Sequence, residues 1–190
     1  MGDILSQFVD QSCQTLQSLK SHGPVFGQMV AAAVQTLRTG GKILTCGNGG
    51  SAADALHLAE ELLGRYRGNR RPLPAVSLNA DSTVLTCIGN DYGFDQVFAR
   101  QVEGLAEPRD LLIVFTSSGN SPNIVLALEA ARRKGCRSVA LLGKDGGSAR
   151  GKADLELIVA GAETGRIQEA HTLLLHALLE SIERELGLGR

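Results

Sequence analysis

The chain has no tryptophan, and aromatic residues make up only 4% of its 190 positions. So few aromatics argue against a stacking platform for nucleic-acid bases. No Cys-x-x-Cys spacing occurs. Cys13, Cys46, Cys87 and Cys136 stand more than thirty positions apart and read as reduced, mostly buried thiols rather than a disulfide framework. Charge of one sign is missing too. Nineteen Lys and Arg against 20 Asp and Glu leave a net charge of −1, so no general field draws nucleic acid or an anionic membrane, and an anionic ligand must be held by a local device. No window reaches the ~18–20 uninterrupted apolar residues of a membrane span, and Met1-Gly2-Asp3 lacks the basic flank of a secretory leader. The expected address is the cytoplasm.

Glycine is abundant. The 23 glycines cluster at Gly47-Asn48-Gly49-Gly50, at Gly119 and at Gly146-Gly147, marking tight loops where the backbone bends sharply or approaches a ligand. With 43% apolar and 21% charged residues and no repeat, low-complexity tract or linker, residues 1–190 read as one compact domain. Residues 1–40 carry two apolar helical faces, Ile4, Leu5, Phe8, Val9, Leu16, Leu19 and then Val25, Met29, Val30, Ala33, Val34, Leu37, split by His22-Gly23-Pro24. Residues 41–190 switch to five short apolar runs, expected as buried strands at 42–46, 75–78, 111–115, 138–142 and 155–159. Helices are expected at 51–66, 94–105 and 121–134, a shorter element at 147–152, a turn of helix at 81–88, and a long last helix at 166–186. This alternation predicts an α/β fold: right-handed crossovers and a five-stranded parallel sheet covered by helices on both faces. The N-terminal helices and the broad stripe of the last one exceed what one sheet face absorbs, so packing across a symmetric subunit interface is expected.

Ligands of open parallel sheets sit at the carboxyl ends of the strands, and two sequences suit that position. After the first strand, Gly47-Asn48-Gly49-Gly50-Ser51 can turn into a helix, with Ser51 as its cap and free N–H groups aimed at an anion. After the third, Thr116-Ser117-Ser118-Gly119-Asn120-Ser121-Pro122 offers hydroxyls without charge, and Pro122 stands at a natural first-turn position. Neither loop is a Walker A or dinucleotide fingerprint, so phosphate binding without a nucleotide moves ahead. On the helix that follows the first loop, His57 and Glu61 are four apart and project from one face, which can place imidazole and carboxylate on one metal ion or one substrate; Glu60 and Asp54 fall on other faces. The last helix carries Gln168 and His176, about 12 Å of rise and roughly 80° apart, so both touch one ion only if it lies between them or another subunit takes part. His171 reads as a core histidine and His22 as an exposed turn residue. Asn90-Asp91 either caps a helix or reaches a pocket, and Arg65, Arg67, Arg70 and Arg71 read as a solvated face.

These residues, in this order, resemble the sugar isomerase (SIS) domain proteins, and within them the bacterial phosphoheptose isomerases. The resemblance runs through Gly47-Asn48-Gly49-Gly50-Ser51, Asp54, His57, Ala59-Glu60-Glu61-Leu62, Gly64-Arg65-Tyr66, Gly89-Asn90-Asp91, Ser118-Gly119-Asn120-Ser121 and Arg166-Ile167-Gln168-Glu169. It implies a single SIS domain, a homotetramer with active sites at subunit contacts, and isomerisation of sedoheptulose 7-phosphate to glycero-manno-heptose 7-phosphate, the entry to the activated heptoses of surface glycans such as the lipopolysaccharide core. It places Asn48, Gly49, Gly50, Asn90, Asp91, Thr116, Ser117, Ser118, Ser121 and Gln168 on substrate-binding positions, with Ser51 and Glu61 beside them. It places His57, Glu61, Gln168 and His176 on the positions of Zn2+ ligands, with Glu61 and His176 as the proton-transfer pair. Two departures stand out: Thr116 replaces a common Ser and keeps the hydroxyl, and Gly165 has no side chain where some members carry an acid. The chemistry asks for these residue types. Moving a carbonyl between C2 and C1 needs a carboxylate to carry a carbon-bound proton, an imidazole for protons on oxygen, and a cation or donors for developing negative charge. The competing reading is a non-enzymatic SIS-domain regulator that binds a replication initiator protein, which needs no proton-transfer pair. A sugar-phosphate-sensing module is a third, and usually comes as paired or attached domains.

Overall fold

The structure, a computed structural model, describes residues 3–188; Met1 and Gly2, read above for a leader, lie outside them. Helices α1 (Ile4–Ser18) and α2 (Gly23–Arg38) open the chain around a 3-10 turn at Leu19–His22. Asp3 caps α1, its Oδ1 accepting from the N–H groups of Leu5 and Ser6 at 3.1 and 3.3 Å, and Pro24 occupies the first turn of α2, where no N–H is needed. There follow β1 (Ile43–Gly47), α3 (Gly50–Leu63), β2 (Ala75–Ser77), α4 (Ser82–Tyr92), α5 (Ala99–Leu105), β3 (Leu111–Thr116), α6 (Pro122–Lys134), β4 (Arg137–Gly143), β5 (Leu155–Val159) and α7 (Thr164–Glu185). The five strands lie within one residue of their expected ends. Four helical expectations change. The helix expected at 51–66 runs only to Leu63, where Gly64 caps it, and the short element at 147–152 is a 3-10 turn at Gly147–Ala149. The single turn at 81–88 is the longer helix α4, because Asp81 accepts from the N–H groups of Thr83 and Val84 at 2.8 and 3.1 Å. The segment 94–105 divides into a 3-10 turn at Phe94–Gln96 and α5, bending where Val97 and Phe98 both enter the core.

The sheet order is β2-β1-β3-β4-β5, every pair parallel. Ile43 registers with Ala75 on one side and Leu111 on the other. The chain therefore steps outward from β1 to β2, then returns past β1 to β3, and right-handed crossovers put the helices before and after that reversal on opposite faces. One face is covered by α2, α3 and α7 through Leu37, Leu58, Leu62, Leu175 and Leu179. Helices α4, α5 and α6 cover the other through Ile88, Phe98, Val102, Ile124 and Leu128. Residues on both faces of β1 and β3 are buried throughout, as a two-sided parallel sheet requires.

Among the thiols, Cys46 and Cys136 are buried but Cys13 and Cys87 are exposed, because α1 buries none of its residues and Cys87 lies on the outer side of α4. His22 is half-buried in the 3-10 turn rather than exposed. The arginine run also departs from a solvated face: Arg65, Arg67 and Arg71 are exposed, but the Arg70 side chain is buried in an ion pair with Glu183 of α7. His171 is a core histidine, with no exposed surface and its Nε2 3.4 Å from the carbonyl of Leu142. Burial pushes its pKa down from 6.5 to about 4, against the opposing effect of the Leu142 contact. The unfolded chain thus takes up a proton as pH falls through 6.5 while the folded one resists until about 4, so this contribution to stability is full above 6.5 and declines toward 4. Urea unfolding between about pH 7 and pH 4 is expected to show a shallower loss of stability in His171→Leu than in the parent; identical slopes would mean that His171 ionises freely in the fold.

Candidate active site

In an open parallel sheet, the ligand crevice opens where the chain reverses its direction of build, at the carboxyl ends of the strands. Here that point lies between β1 and β3, and the loops that follow these two strands carry both sequence motifs. Gly49 (φ 57°, ψ −123°) caps α3 without any side-chain bond, and the helix begins at Gly50. Ser51, expected as the cap, is buried inside the first turn with its N–H donating to the Asn48 carbonyl at 3.0 Å. The positive φ at Gly49 lets the turn close earlier than a serine cap would. Asn79, just past β2, brackets Gly47: its Oδ1 accepts from the Gly47 N–H at 3.1 Å and its Nδ2 donates to the Gly47 carbonyl at 2.9 Å. Asn48 and Asn123 exchange two amide hydrogen bonds, 2.8 and 3.0 Å, which tie the first loop to the start of α6.

The second loop is fixed by its own polar groups. Thr116 is buried, and its Oγ1 accepts from the Gly119 N–H at 3.1 Å. Ser118 Oγ accepts from the Asn120 N–H at 3.2 Å, and Asn120 Oδ1 accepts from both the N–H and the hydroxyl of Ser148. Gly119 has φ 67°, and a Cβ there would lie 2.0 Å from the Gly146 carbonyl oxygen, so no other residue fits. Ser121 caps α6 through its backbone, with no side-chain bond to the helix, and shares this loop with half-buried Ser117 and Ser118. Hydroxyls gathered at the N-terminus of a helix suit a phosphate ester.

The second half of the site lies where α3 and α7 run side by side. The Gln168 amide lies against Gly50, where a Cβ would come within 2.2 Å of Nε2. One turn further, the Thr172 hydroxyl donates to Asp54 Oδ1 at 2.8 Å. One turn beyond that, the rings of His176 and His57 meet edge to face, with centroids 5.0 Å apart at 80°. His57 Nε2 lies 3.6 Å from Glu61 Oε1, so within a single chain His57 stands between Glu61 of its own helix and His176 of α7. Glu60 joins the α3 pair: ligand atoms of His57, Glu60 and Glu61 all lie within 4.8 Å of one another, a group that among the described residues does not extend to His176. Its assignment to another helix face fails because a flexible carboxylate arm sweeps across the neighbouring stripe. Asp54 likewise faces the cluster's helix–helix seam. It is buried with Oδ2 unpartnered, and burial raises its pKa against the Thr172 hydrogen bond and the fields of His57 and His176. Converging nitrogen and oxygen donors beside an orphaned carboxylate oxygen fit a zinc-like divalent cation.

Three expected residues stand apart from this cluster. Gln168 sits level with Gly50, about 10 Å of helix rise from His57, so one chain does not set it beside the two histidines. Asn90 and Asp91 are exposed on the last turn of α4, across the sheet, where the Asn90 Nδ2 donates to Asp91 Oδ1 at 2.8 Å. Asp91 lines a cleft of about 690 Å³ with Val76, Tyr92 and Arg100. Local sequence pattern singles out neither Asn79 nor Asn123, and Tyr66 only as part of Gly64-Arg65-Tyr66. Asn79 and Asn123 bond to residues 32 and 75 positions away, beyond any local spacing, and the Tyr66 ring stacks on His176 at 5.7 Å and 22°.

A family model of the SIS domain matches residues 7–143. A phosphoheptose isomerase of Geobacter sp. (strain M21) is 50% identical over 177 residues, spanning 93% of this chain and 92% of that protein. Another, from Pelobacter propionicus, is 51% identical over 186 residues and 98% of both. The solved structure of a phosphoheptose isomerase from Francisella tularensis matches with a TM-score of 0.91 at 37% identity, covering 95% of this chain and 96% of that one. Half of all positions shared over nearly the full length, on a backbone of the same course, assign this chain to the phosphoheptose isomerase family of SIS-domain proteins.

Proposed function

We propose that the chain isomerises sedoheptulose 7-phosphate to D-glycero-D-manno-heptose 7-phosphate in the cytoplasm, as the first step toward activated heptose for surface glycans. The observation that carries the reading is the meeting of His176 on α7 with the His57–Glu61 pair on α3, next to a hydroxyl loop built for phosphate. Names of relatives at about half identity favour it over the initiator-binding regulator.

The phosphate is held by the hydroxyls of Ser117, Ser118 and Ser121 and the N-terminus of α6, while Thr116 shapes the loop from beneath. Asn48, Gly49, Gly50 and Ser51 form the wall on the other side of the crevice. Glu61 takes the proton from C1; the electron pair forms the C1–C2 double bond of an enediolate, and the carbonyl oxygen at C2 becomes an alkoxide-like oxygen. Glu61 then returns the proton to C2 as the C1 hydroxyl loses its own and becomes the aldehyde oxygen. His176 shuttles the protons on these two oxygens. His57, Glu61 and His176 would hold a zinc ion, with Gln168 added from a neighbouring subunit. When bound, the ion supplies Lewis-acid stabilisation of the oxygen charge. Assembly as a homotetramer is supported by α1, which buries none of its residues and leaves Ile4 and Leu5 69% exposed, and by Asn90 and Asp91, which need a second chain to reach a substrate.

Conversion of sedoheptulose 7-phosphate followed by NMR tests the reading; a folded, zinc-loaded protein that forms no aldose overturns it. Glu61→Gln is expected to lower kcat by about two to four orders of magnitude with assembly intact, and a near-parental rate would remove Glu61 as the base. His57→Ala is expected chiefly to lower zinc content, measured by elemental analysis after dialysis, whereas unchanged content would discard it as a ligand. Ser118→Ala is expected to raise KM about tenfold while lowering the thermal midpoint by no more than about 5 °C, since only the Asn120 N–H bond is lost, and an unaltered KM would count against the phosphate loop.

A further inference from the structure

The segment between α3 and β2 is tied down more heavily than a surface loop requires. Glu183, buried on α7, accepts hydrogen bonds from the backbone N–H groups of Tyr66 at 3.2 Å and Arg67 at 3.3 Å as well as from Arg70 Nε. Arg70 points its remaining donors at carbonyl oxygens: Glu61 at 2.7 Å, and Leu62 and Arg71 at 3.0 Å each. The two side chains are 1% and 3% exposed. One buried pair therefore grips the last turn of α3, which bears Glu61, and hangs residues 66 and 67 on α7. Glu183 is seven residues beyond His176, two helical turns less about 20°, so both project from the same side of α7.

What this tether places is the ring of Tyr66. It stacks on His176 at 5.7 Å and 22°, while His57 meets His176 edge to face. Beyond Tyr66, the Arg67 guanidinium carbon lies 4.9 Å over the phenol ring and its Nε donates to Glu180 at 2.8 Å. A histidine's second side-chain torsion is soft, and a face contact combined with an edge contact removes that freedom. We infer that Tyr66 is a positioning residue for proton transfer: its ring sets the plane of the His176 imidazole, and the buried Arg70–Glu183 pair holds Tyr66 in place. This rests on the proposed role of His176.

The experiment compares full-length, zinc-loaded Tyr66→Ala, Tyr66→Phe and His176→Gln with the parent, reading kcat, KM, zinc content and thermal unfolding. Tyr66→Ala is expected to lower kcat about tenfold with KM within about threefold and with zinc and folding retained, and Tyr66→Phe, which keeps the ring, to restore kcat to within about twofold. Should Tyr66→Ala fold poorly, Tyr66→Leu fills the space without an aromatic face and carries the same expectation. A parental kcat in the variants that lack the ring overturns the inference, as does an equal loss in Tyr66→Phe or a loss that only follows the folded fraction. A fully active His176→Gln overturns the reading of His176 and this inference with it. An inactive His176→Gln beside a fully active Tyr66→Ala overturns the positioning role alone.

Discussion

The parallel packing of α7 along α3 is the constraint on which the rest of the site depends. Gln168, Thr172 and His176 form a row at four-residue spacing on α7, and each meets its counterpart on α3: Gly50, Asp54 and His57. Such a row is one ridge of a helix surface, and a slip by one turn would move all three contacts together. The small residue at Gly50 allows the helices to close at the end nearest the ligand loops. The apolar side of the same helices, Leu58 and Leu62 against Leu175 and Leu179, supplies the burial that holds the alignment.

The sheet does a separate job. Its reversal between β1 and β3 leaves two adjacent strand ends from which chains depart to opposite faces, the position at which open parallel sheets take their ligands. A chain with a net charge of −1 has no broad field for a dianionic sugar phosphate. Recognition then falls to short-range donors whose positions must be held tightly, and the amide brackets of Asn79 on Gly47 and of Asn123 on Asn48 do this.

Buried polar groups mark where stability and chemistry pull apart. Arg70 and Glu183 are removed from water together, and their attraction offsets that desolvation only because backbone carbonyls and N–H groups satisfy nearly every remaining donor and acceptor. Asp54 is less well served, with one oxygen bonded and the other unpartnered in the α3–α7 seam. His171, three residues from Gln168, remains neutral in the core. The same helix thus carries a histidine used for packing and a half-buried one presented to the site, and the difference lies in which stripe each occupies.

Much of this was legible in the sequence because it is local. Strand positions follow from short apolar runs, the two ligand loops from glycine and hydroxyl clusters after strands, the His57–Glu61 pair from helical period, and the core role of His171 from its apolar neighbours. These depend on residues within one or two turns of each other, where backbone geometry leaves few choices. Tertiary structure decided the rest. It brought His176 to His57 across more than a hundred residues, tied Asp54 to Thr172 in the α3–α7 seam, and turned Arg70 from a solvated charge into the partner of Glu183. It also set Gln168 level with Gly50, about two helical turns from His57 in its own chain. No periodicity encodes these pairings, because they are fixed by how two helices register on one sheet face, and that register is a property of the packed core rather than of either segment.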